Sequence, residues 1–403
     1  MDTDRTVIRE LQCAARSVAA DWSVEFATTL PEALEQLSHG VFDVVAADVE
    51  AHGIDGGSFL DEVAARQPRA ARFLVSDSGA RGMLMRAVGS AHQHLAKPLD
   101  PGALFAQLAR TLALGDLLSD ARLKCLVGRL RNVPSLPSIY LAILAELRQE
   151  EPSGQKVGEL VARDPGTAAK ILQLVNSPFF GFRVRVTDAF HAVQLLGLET
   201  VRALVLSLHI FDRLDEPAVM RFRLGRVWRH SLATTNVARM IARLQDRDTA
   251  ATGEAFTAAL LHDIGKLVFA LSLPEEYAAA MRRAERDQVP LWTAEQDALS
   301  ATHAEVGAYL LGLWGLPEPI VEAVAWHHRP SECPSPTFCP LGVVHAANCI
   351  EHAVHPADSV GPSASVDQSF LDRFQAAWQF QAWSAACLDA EAEYQELGLR
   401  ART

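Results

Sequence analysis

Residues 258–267 read A-A-L-L-H-D-I-G-K-L, and the fold turns on how His262 and Asp263 sit inside that apolar helical run. A buried imidazole beside a buried carboxylate must find partners. Adjacent helix positions diverge by about 100°, yet both side chains can reach one ion lodged between helices. The chain supplies further imidazoles on segments with helical apolar spacing: His230 in V-W-R-H-S-L, His303 in A-T-H-A-E-V-G, and His327 with His328 in A-V-A-W-H-H-R-P. His230, His262, Asp263, His303, His327 and His328 are therefore candidate ligands for one or two divalent transition metals. Such an imidazole-rich set with one carboxylate suits Fe, Mn, Zn, Ni or Co rather than Mg or Ca. The alternative is a buried polar network that serves only as scaffold. His191, His209, His345, His352 and His355 read as satisfied core residues.

Composition sets the outer bounds. At 403 residues the chain has room for two or three domains. A net charge of −12, with no recognisable helix-turn-helix, opposes nucleic acid and anionic membrane as general partners. Cysteines at 13, 125, 333, 339, 349 and 387 form no C-x-x-C, which argues against a disulfide framework or zinc ribbon. With no signal-like opening and no apolar run of about 18 residues, a cytoplasmic protein is expected.

Residues 1–115 alternate strand-like and amphipathic helical stretches. Strands are expected at 24–29, 42–48, 72–77 and 93–98, and helices at 7–18, 31–37, 58–66, 81–91 and 102–114. That alternation argues for an α/β doubly wound parallel sheet with helices on both faces. Functional groups of such sheets gather at the strand carboxyl ends, where Asp48, Ser76 and Lys97 lie. The phrases F-D-V-V-A-A-D, F-L-V-S-D and H-L-A-K-P-L-D resemble a flavodoxin-like, CheY-like response-regulator receiver domain. That resemblance implies Asp48 as phosphoacceptor, with Ser76 and Lys97 contacting the phosphoryl group, and a sensor histidine kinase as partner. A carboxylate acceptor with a hydroxyl and an ammonium suits phosphoryl chemistry on its own terms. Receivers open with a strand ending in two acids that hold Mg²⁺, whereas this chain opens M-D-T-D-R-T-V-I, with only Asp2 and Asp4 as candidate acids. An upstream natural start is the corresponding expectation.

From Ala103 to Leu130 the apolar spacing predicts a near-continuous helix with Gly115 as its weak point, so 116–132 reads as a helical linker. Residues 121–350 read as all helix, with prolines near segment ends. Asp164 before Pro165 reads as an N-cap, and Asn176-Ser177-Pro178 as a helix end that caps or binds a partner. Phe179, Phe180 and Phe182 read as core or as a partner-facing patch. The phrases V-P-S-L-P-S (133–138), A-R-D-P-G-T-A-A-K-I-L-Q-L-V-N-S-P-F-F-G (162–181), H-A-V-Q-L-L-G-L (191–198), W-R-H-S and A-A-L-L-H-D-I-G-K-L resemble the HDOD domain. This is a signalling relative of the HD-superfamily metal phosphohydrolases.

The order of the candidate ligands is similar to that of dinuclear HD phosphodiesterases, including the HD-GYP enzymes that hydrolyse cyclic di-GMP. The terminal aspartate of that set falls on Asn348, and R-P-S-E-C-P-S-P after His328 lacks the G-Y-P signature, so cyclic di-GMP hydrolysis is not expected. Lys266 has the position of a substrate-phosphate contact, or is a solvated charge.

Residues 356–365 read as a loop and 369–397 as a helix whose aromatics close the core or form a homodimer contact. The expected organisation is a receiver-like domain (1–115), linker (116–132), all-α HD-like domain (133–350) and helical extension (351–403). The expected role is a response regulator whose HDOD output binds a downstream signalling protein or cyclic nucleotide. The rival is a metal-dependent phosphohydrolase.

Overall fold

The computed structural model describes residues 1–2, 4–18, 22–48, 56–76, 90–116, 118–130, 142–143, 145–147, 149, 151–176, 185–198, 201, 216–245, 249–334, 338–355, 362 and 365–400. The expected helix 81–91 lies almost wholly outside them, as do V-P-S-L-P-S, Ser177-Pro178, the three phenylalanines at 179, 180 and 182, and His209.

The N-terminal part runs α1 (Arg5–Val18), α2 (Leu30–His39), β1 (Val44–Asp48), α3 (Gly56–Arg66), β2 (Ala71–Ser76), β3 (Gln93–Ala96) and α4 (Pro101–Ala113). The strands are parallel in the order β1-β2-β3, with Asp48 opposite Val75 and Ser76 opposite Ala96. The expected strand at 24–29 forms no ladder. Two residues stand between it and β1: Asp2 N–H donates to Ala27 O at 3.2 Å, the Met1 ammonium donates to Ala46 O at 2.7 Å, and Asp48 N–H donates to Met1 O at 3.0 Å. A two-residue bridge leaves too few backbone partners to extend the sheet.

The near-continuous helix expected from 103 to 130 is broken at its weak point, around Gly115. After α4 a single 3₁₀ turn covers Leu114–Asp116, and α5 (Ala121–Arg129) starts afresh where the Asp120 carboxylate accepts from the Arg122 and Leu123 N–H groups. A local aspartate cap outcompetes helix propagation here.

The rest is helical among the described residues: α6 (Gly154–Val161), α7 (Pro165–Val175), α8 (Ala189–Leu196), α9 (Glu216–Arg221), α10 (Leu224–Leu244), α11 (Thr249–Leu261), α12 (Ile264–Ser272), α13 (Pro274–Asp287), α14 (Leu291–Leu299), α15 (His303–Leu313), α16 (Glu318–Trp326), α17 (Val343–Val354), α18 (Gln368–Arg373) and α19 (Ala377–Arg400). Asp164 caps α7 as expected, accepting from Thr167 N at 2.8 Å, and also accepts from Trp228 Nε1 at 2.6 Å. Asn176 closes the other end of α7, its amide donating to Leu172 O and Val186 O while Val186 N–H donates to its Oδ1. The C-terminal segment expected as one helix is two, because Gln375 takes a left-handed φ of 54° between α18 and α19.

Successive strand residues face opposite ways, and both faces of β2 are covered. Ala71, Phe73 and Val75 join the core of the helical domain, whereas Leu74 packs with Leu60 and Val63 of α3. The sheet is thus sandwiched between its own helices and the helical domain. Polar bonds fix the seam: the Arg72 guanidinium and His92 Nε2 both donate to Gly128 O, and Gln173 Nε2 donates to His92 O at 2.8 Å.

No run of span length was expected, yet the helical stretch Ala251–Ser272 is 22 residues long and apolar enough to cross a membrane by composition. It is α11 and α12 joined at His262-Asp263, and 78% of its most apolar window is buried inside the fold.

Candidate metal centre

Asp263 is the hub. It stands at the N-cap position of α12, yet its side chain makes no capping bond. The carboxylate faces inward, with Oδ2 2.6 Å from Lys266 Nζ, 3.5 Å from His262 Nε2 and 3.7 Å from His230 Nε2, and Oδ1 3.2 Å from His303 Nε2. One carboxylate therefore touches imidazoles from three directions.

Backbone constraints bring those imidazoles in. His303 begins α15, whose start is fixed by a reciprocal cap between Thr302 and Glu305. It approaches because Gly265 has no side chain: a Cβ there would lie 2.0 Å from His303 O. His327 and His328 follow the end of α16, where Pro330 prevents the helix from continuing. His230 comes from the first third of α10.

Four of the five inward imidazoles are held from behind. His262 Nδ1 donates to Ala259 O at 2.7 Å and His327 Nδ1 to Val324 O at 2.8 Å. His303 Nδ1 meets Glu295 Oε2 at 2.6 Å, and His230 Nδ1 meets Glu351 Oε2. A ring N–H given to a carbonyl or carboxylate aims the other nitrogen's lone pair, the arrangement that metal-ligating histidines show. The inward atoms crowd together: His230 Nε2 is 3.1 Å from His262 Nε2, and His303 Nε2 is 3.0 Å from His328 Nε2.

Electrostatics favour His262, His327 and His328 as ligands, whereas, against burial, Glu295 and Asp263 raise the His303 pKa. Burial lowers the His262 pKa to about 3, and burial followed by the neighbouring imidazoles holds His327 and His328 well below their usual range. Those rings are neutral at pH 7, as ligation requires. Burial opposes ionisation of Asp263, but His262 and Lys266 hold its carboxyl well below the usual range. Among the described residues, His230, His262 and Asp263 form one group able to hold an ion and His303, His327 and His328 another.

The residues fit a divalent ion on an observation of their own. His327 Nε2, the His328 Nδ1 and both amide atoms of Asn348 are buried with no hydrogen-bond partner. An orphaned imidazole lone pair costs free energy unless a cation or water meets it. Fe, Mn, Zn, Ni or Co would be held by the six expected residues, and a second ion has room in the ligand count.

The sequence reading missed Glu351 and Glu295, and it took His352 for a satisfied core residue. Glu351 and His352 lie one turn beyond Asn348 on α17, and with His230 they form a third group of clustered donors. The carboxylate absent at 348 thus reappears at 351, behind His230. The buried acid in V-V-H-A-A-N-C-I-E-H was the available signal. Glu295 lies in the polar helix L-W-T-A-E-Q-D-A-L, where nothing distinguishes it from a solvated acid, yet it is fully buried. His345 is the satisfied core residue expected, bonded to His327 O and Asp367 N. Lys266 pairs with Asp263, and its side chain is 13% exposed.

The receiver-like candidates also meet. Lys97 Nζ lies 2.7 Å from Asp48 Oδ2 and 3.0 Å from Asp2 Oδ2, and Ser76 ends β2 one residue beyond the register partner of Asp48. Asp2, not Asp4, supplies the nearby acid; the Asp4 carboxylate accepts from Thr6 N instead.

The chain has relatives among known proteins. The chain is 26% identical over 250 residues to an uncharacterized protein of Treponema pallidum (strain Nichols), covering 62% of this chain and 47% of that one. It therefore spans about half the length of the curated relative it matches. Among solved structures, it is similar to the MmoQ response regulator of Methylococcus capsulatus strain Bath, at 28% identity and a TM-score of 0.47, covering 56% of this chain and 88% of that one. It is also similar to an HDOD domain protein with unknown function from Geobacter sulfurreducens, at 20% identity and a TM-score of 0.36, covering 74% and 97%. The HDOD family model matches residues 133–330, the segment that carries His230, His262, Asp263, His303, His327 and His328. Residues 133–330 of this chain are an HDOD domain.

Proposed function

We propose that this chain is a signal-transduction protein of the response-regulator type, in which the receiver-like part controls an HDOD domain that acts as a metal-holding binding module. The observation that carries this reading is the access to the centre. The cavity that reaches His230, Asp263, His303 and His328 has a volume of about 60 Å³. That admits a few waters but is far below the several hundred Å³ of a nucleotide site. Asn348 adds to it, since an amide contributes a neutral oxygen where the hydrolases place a charge. An ion here would supply Lewis acidity and a cross-link between α10, α12, α15 and the end of α16. The chain's own residues hold the ligands in register and keep bulk water out.

Phosphorylation at Asp48 by a sensor histidine kinase would alter the Lys97 contacts at the end of β3. The opposite end of that strand bonds to the HDOD domain, so the change has a path to it. The output would be a changed surface for a downstream signalling protein. Trp378 on α19, 67% exposed, is the candidate homodimer contact.

The second reading, a metal-dependent phosphohydrolase, is favoured by Arg223 and Arg226 among the residues lining the cavity, guanidinium groups of the kind that hold a phosphate. Elemental analysis of purified protein, paired with a screen of phosphomonoesters and cyclic nucleotides, separates the two. Near-stoichiometric transition metal without turnover supports the module. Turnover lost on His262→Ala supports the hydrolase, and metal-free folded protein refutes both metal readings.

A further inference from the structure

A second cleft, of about 620 Å³, opens where the N-terminal part meets the HDOD domain. It shares no lining residue with the cavity at the metal centre. One wall is β3 with α4, and the other runs from the end of α15 into α16. Its volume lies in the range of small-molecule sites.

The chemistry of the walls is divided. Arg110, in the last turn of α4, and Arg185 both line the cleft. Among the described residues neither guanidinium has an ion pair or hydrogen bond. Burial first, and then the Arg110 charge, lowers the Arg185 pKa, and both side chains line the one cleft. Two unneutralised guanidinium groups facing one space suit a phosphoryl group.

Trp326, Pro317, Pro319 and Pro334 line the cleft beside them, together with the carboxylates Glu318 and Glu322, the latter accepting from Cys333 Sγ. An indole face and prolines accept a planar ring, and a carboxylate accepts from ring N–H and exocyclic amino groups. The cleft floor is the amide of Gln93, which donates to Gly312 O at 3.3 Å and accepts from Gln107 Nε2 at 2.5 Å.

We propose that this interdomain cleft binds a purine nucleotide, with its phosphate on Arg110 and Arg185 and its base between Trp326 and Glu318. The bound nucleotide touches both parts of the chain, so it stiffens the seam through which β3 reaches the HDOD domain. Guanine, which offers a ring N–H and an amino group side by side, fits Glu318 better than adenine. The inference is independent of whether the metal centre holds an ion.

The test is calorimetric titration of the full chain with GMP, AMP and inorganic phosphate, in excess EDTA so that the metal centre takes no part. The expected result is saturable binding of GMP, tighter than AMP and at least about tenfold tighter than phosphate. The double variant Arg110→Ala with Arg185→Ala should lose about tenfold or more of that affinity. Among the described residues neither arginine has a hydrogen bond or ion pair to lose, so the double variant retains its fold, and an unchanged far-UV spectrum and melting temperature verify this. Absence of saturable nucleotide binding at millimolar concentration, equal affinity for GMP and phosphate, or binding untouched by the double substitution overturns the proposal.

Discussion

The Nε2 atoms of His230 and His262 face one another at 3.1 Å, while the Nδ1 of each is committed, to the Glu351 carboxylate and the Ala259 carbonyl. With both ring protons on the outer nitrogens, two lone pairs oppose each other in a buried space. About 3 Å is also the separation of neighbouring nitrogen ligands on one ion with bonds of about 2.1 Å. A cation relieves the opposition, so metal removal should destabilise the fold. At a free metal concentration about a hundredfold above Kd the ion adds about 2.7 kcal/mol. Thermal melts with and without chelator should show the loss and its reversal on adding back metal, and His262→Ala should show no response.

Glu351→Gln keeps the shape and an acceptor oxygen behind His230 but removes the charge. Loss of such a supporting partner typically costs 10- to 100-fold in metal affinity. Competition against a chromophoric chelator measures it, and an affinity equal to wild type would show that Glu351 does not orient His230.

Gly265→Ala tests the close approach that brings His303 to Asp263. The added Cβ would lie 2.0 Å from His303 O, which is backbone and must move as part of α15. Overpacking of this kind costs about 1–3 kcal/mol. Urea unfolding should show that loss, together with metal content reduced by more than the stability change alone explains.

His92 gives the seam a pH dependence. Burial, then the Arg72 charge, lowers its pKa from 6.5 to about 3, and its Nε2 donates to Gly128 O. The unfolded imidazole takes up a proton near pH 6.5, whereas the folded one resists until about 3. Its contribution is therefore whole above pH 6.5 and is lost as the pH falls toward 3, at no more than about 1.4 kcal/mol per pH unit. Denaturant midpoints measured between pH 7.5 and 5 should fall less steeply in His92→Asn than in wild type.

Asp48 is expected to accept one phosphoryl group from acetyl phosphate, read by intact mass, and Asp48→Asn to accept none. Lys97→Ala should reduce incorporation, because Lys97 is the cation within 2.7 Å of the Asp48 carboxylate.

The helical half was legible because its signals are local. Asp164 before Pro165 announced an N-cap, and the apolar spacing around His262 and Asp263 announced a buried polar pair. The N-terminal half was legible as strands at 44–48, 71–76 and 93–96, but residues 24–29 were not, since a strand exists only where a neighbour offers a ladder. The near-continuous helix expected from 103 to 130 breaks at its weak point around Gly115, but the apolar period alone did not show the fresh start that the Asp120 cap gives.

Residue chemistry and spacing by themselves determined which groups could serve a metal centre, six donors on four segments with an amide at 348. Only the tertiary structure decided how they meet. It placed Glu351 behind His230 and Glu295 behind His303, and left His327 Nε2 unpaired at the centre. It also laid one face of β2 into the helical core and opened a cleft between Arg110 and Trp326. The physical reason is that a ligand's identity is a property of one residue. Its aim, its charge and its access are properties of the groups packed around it, which come from distant parts of the chain.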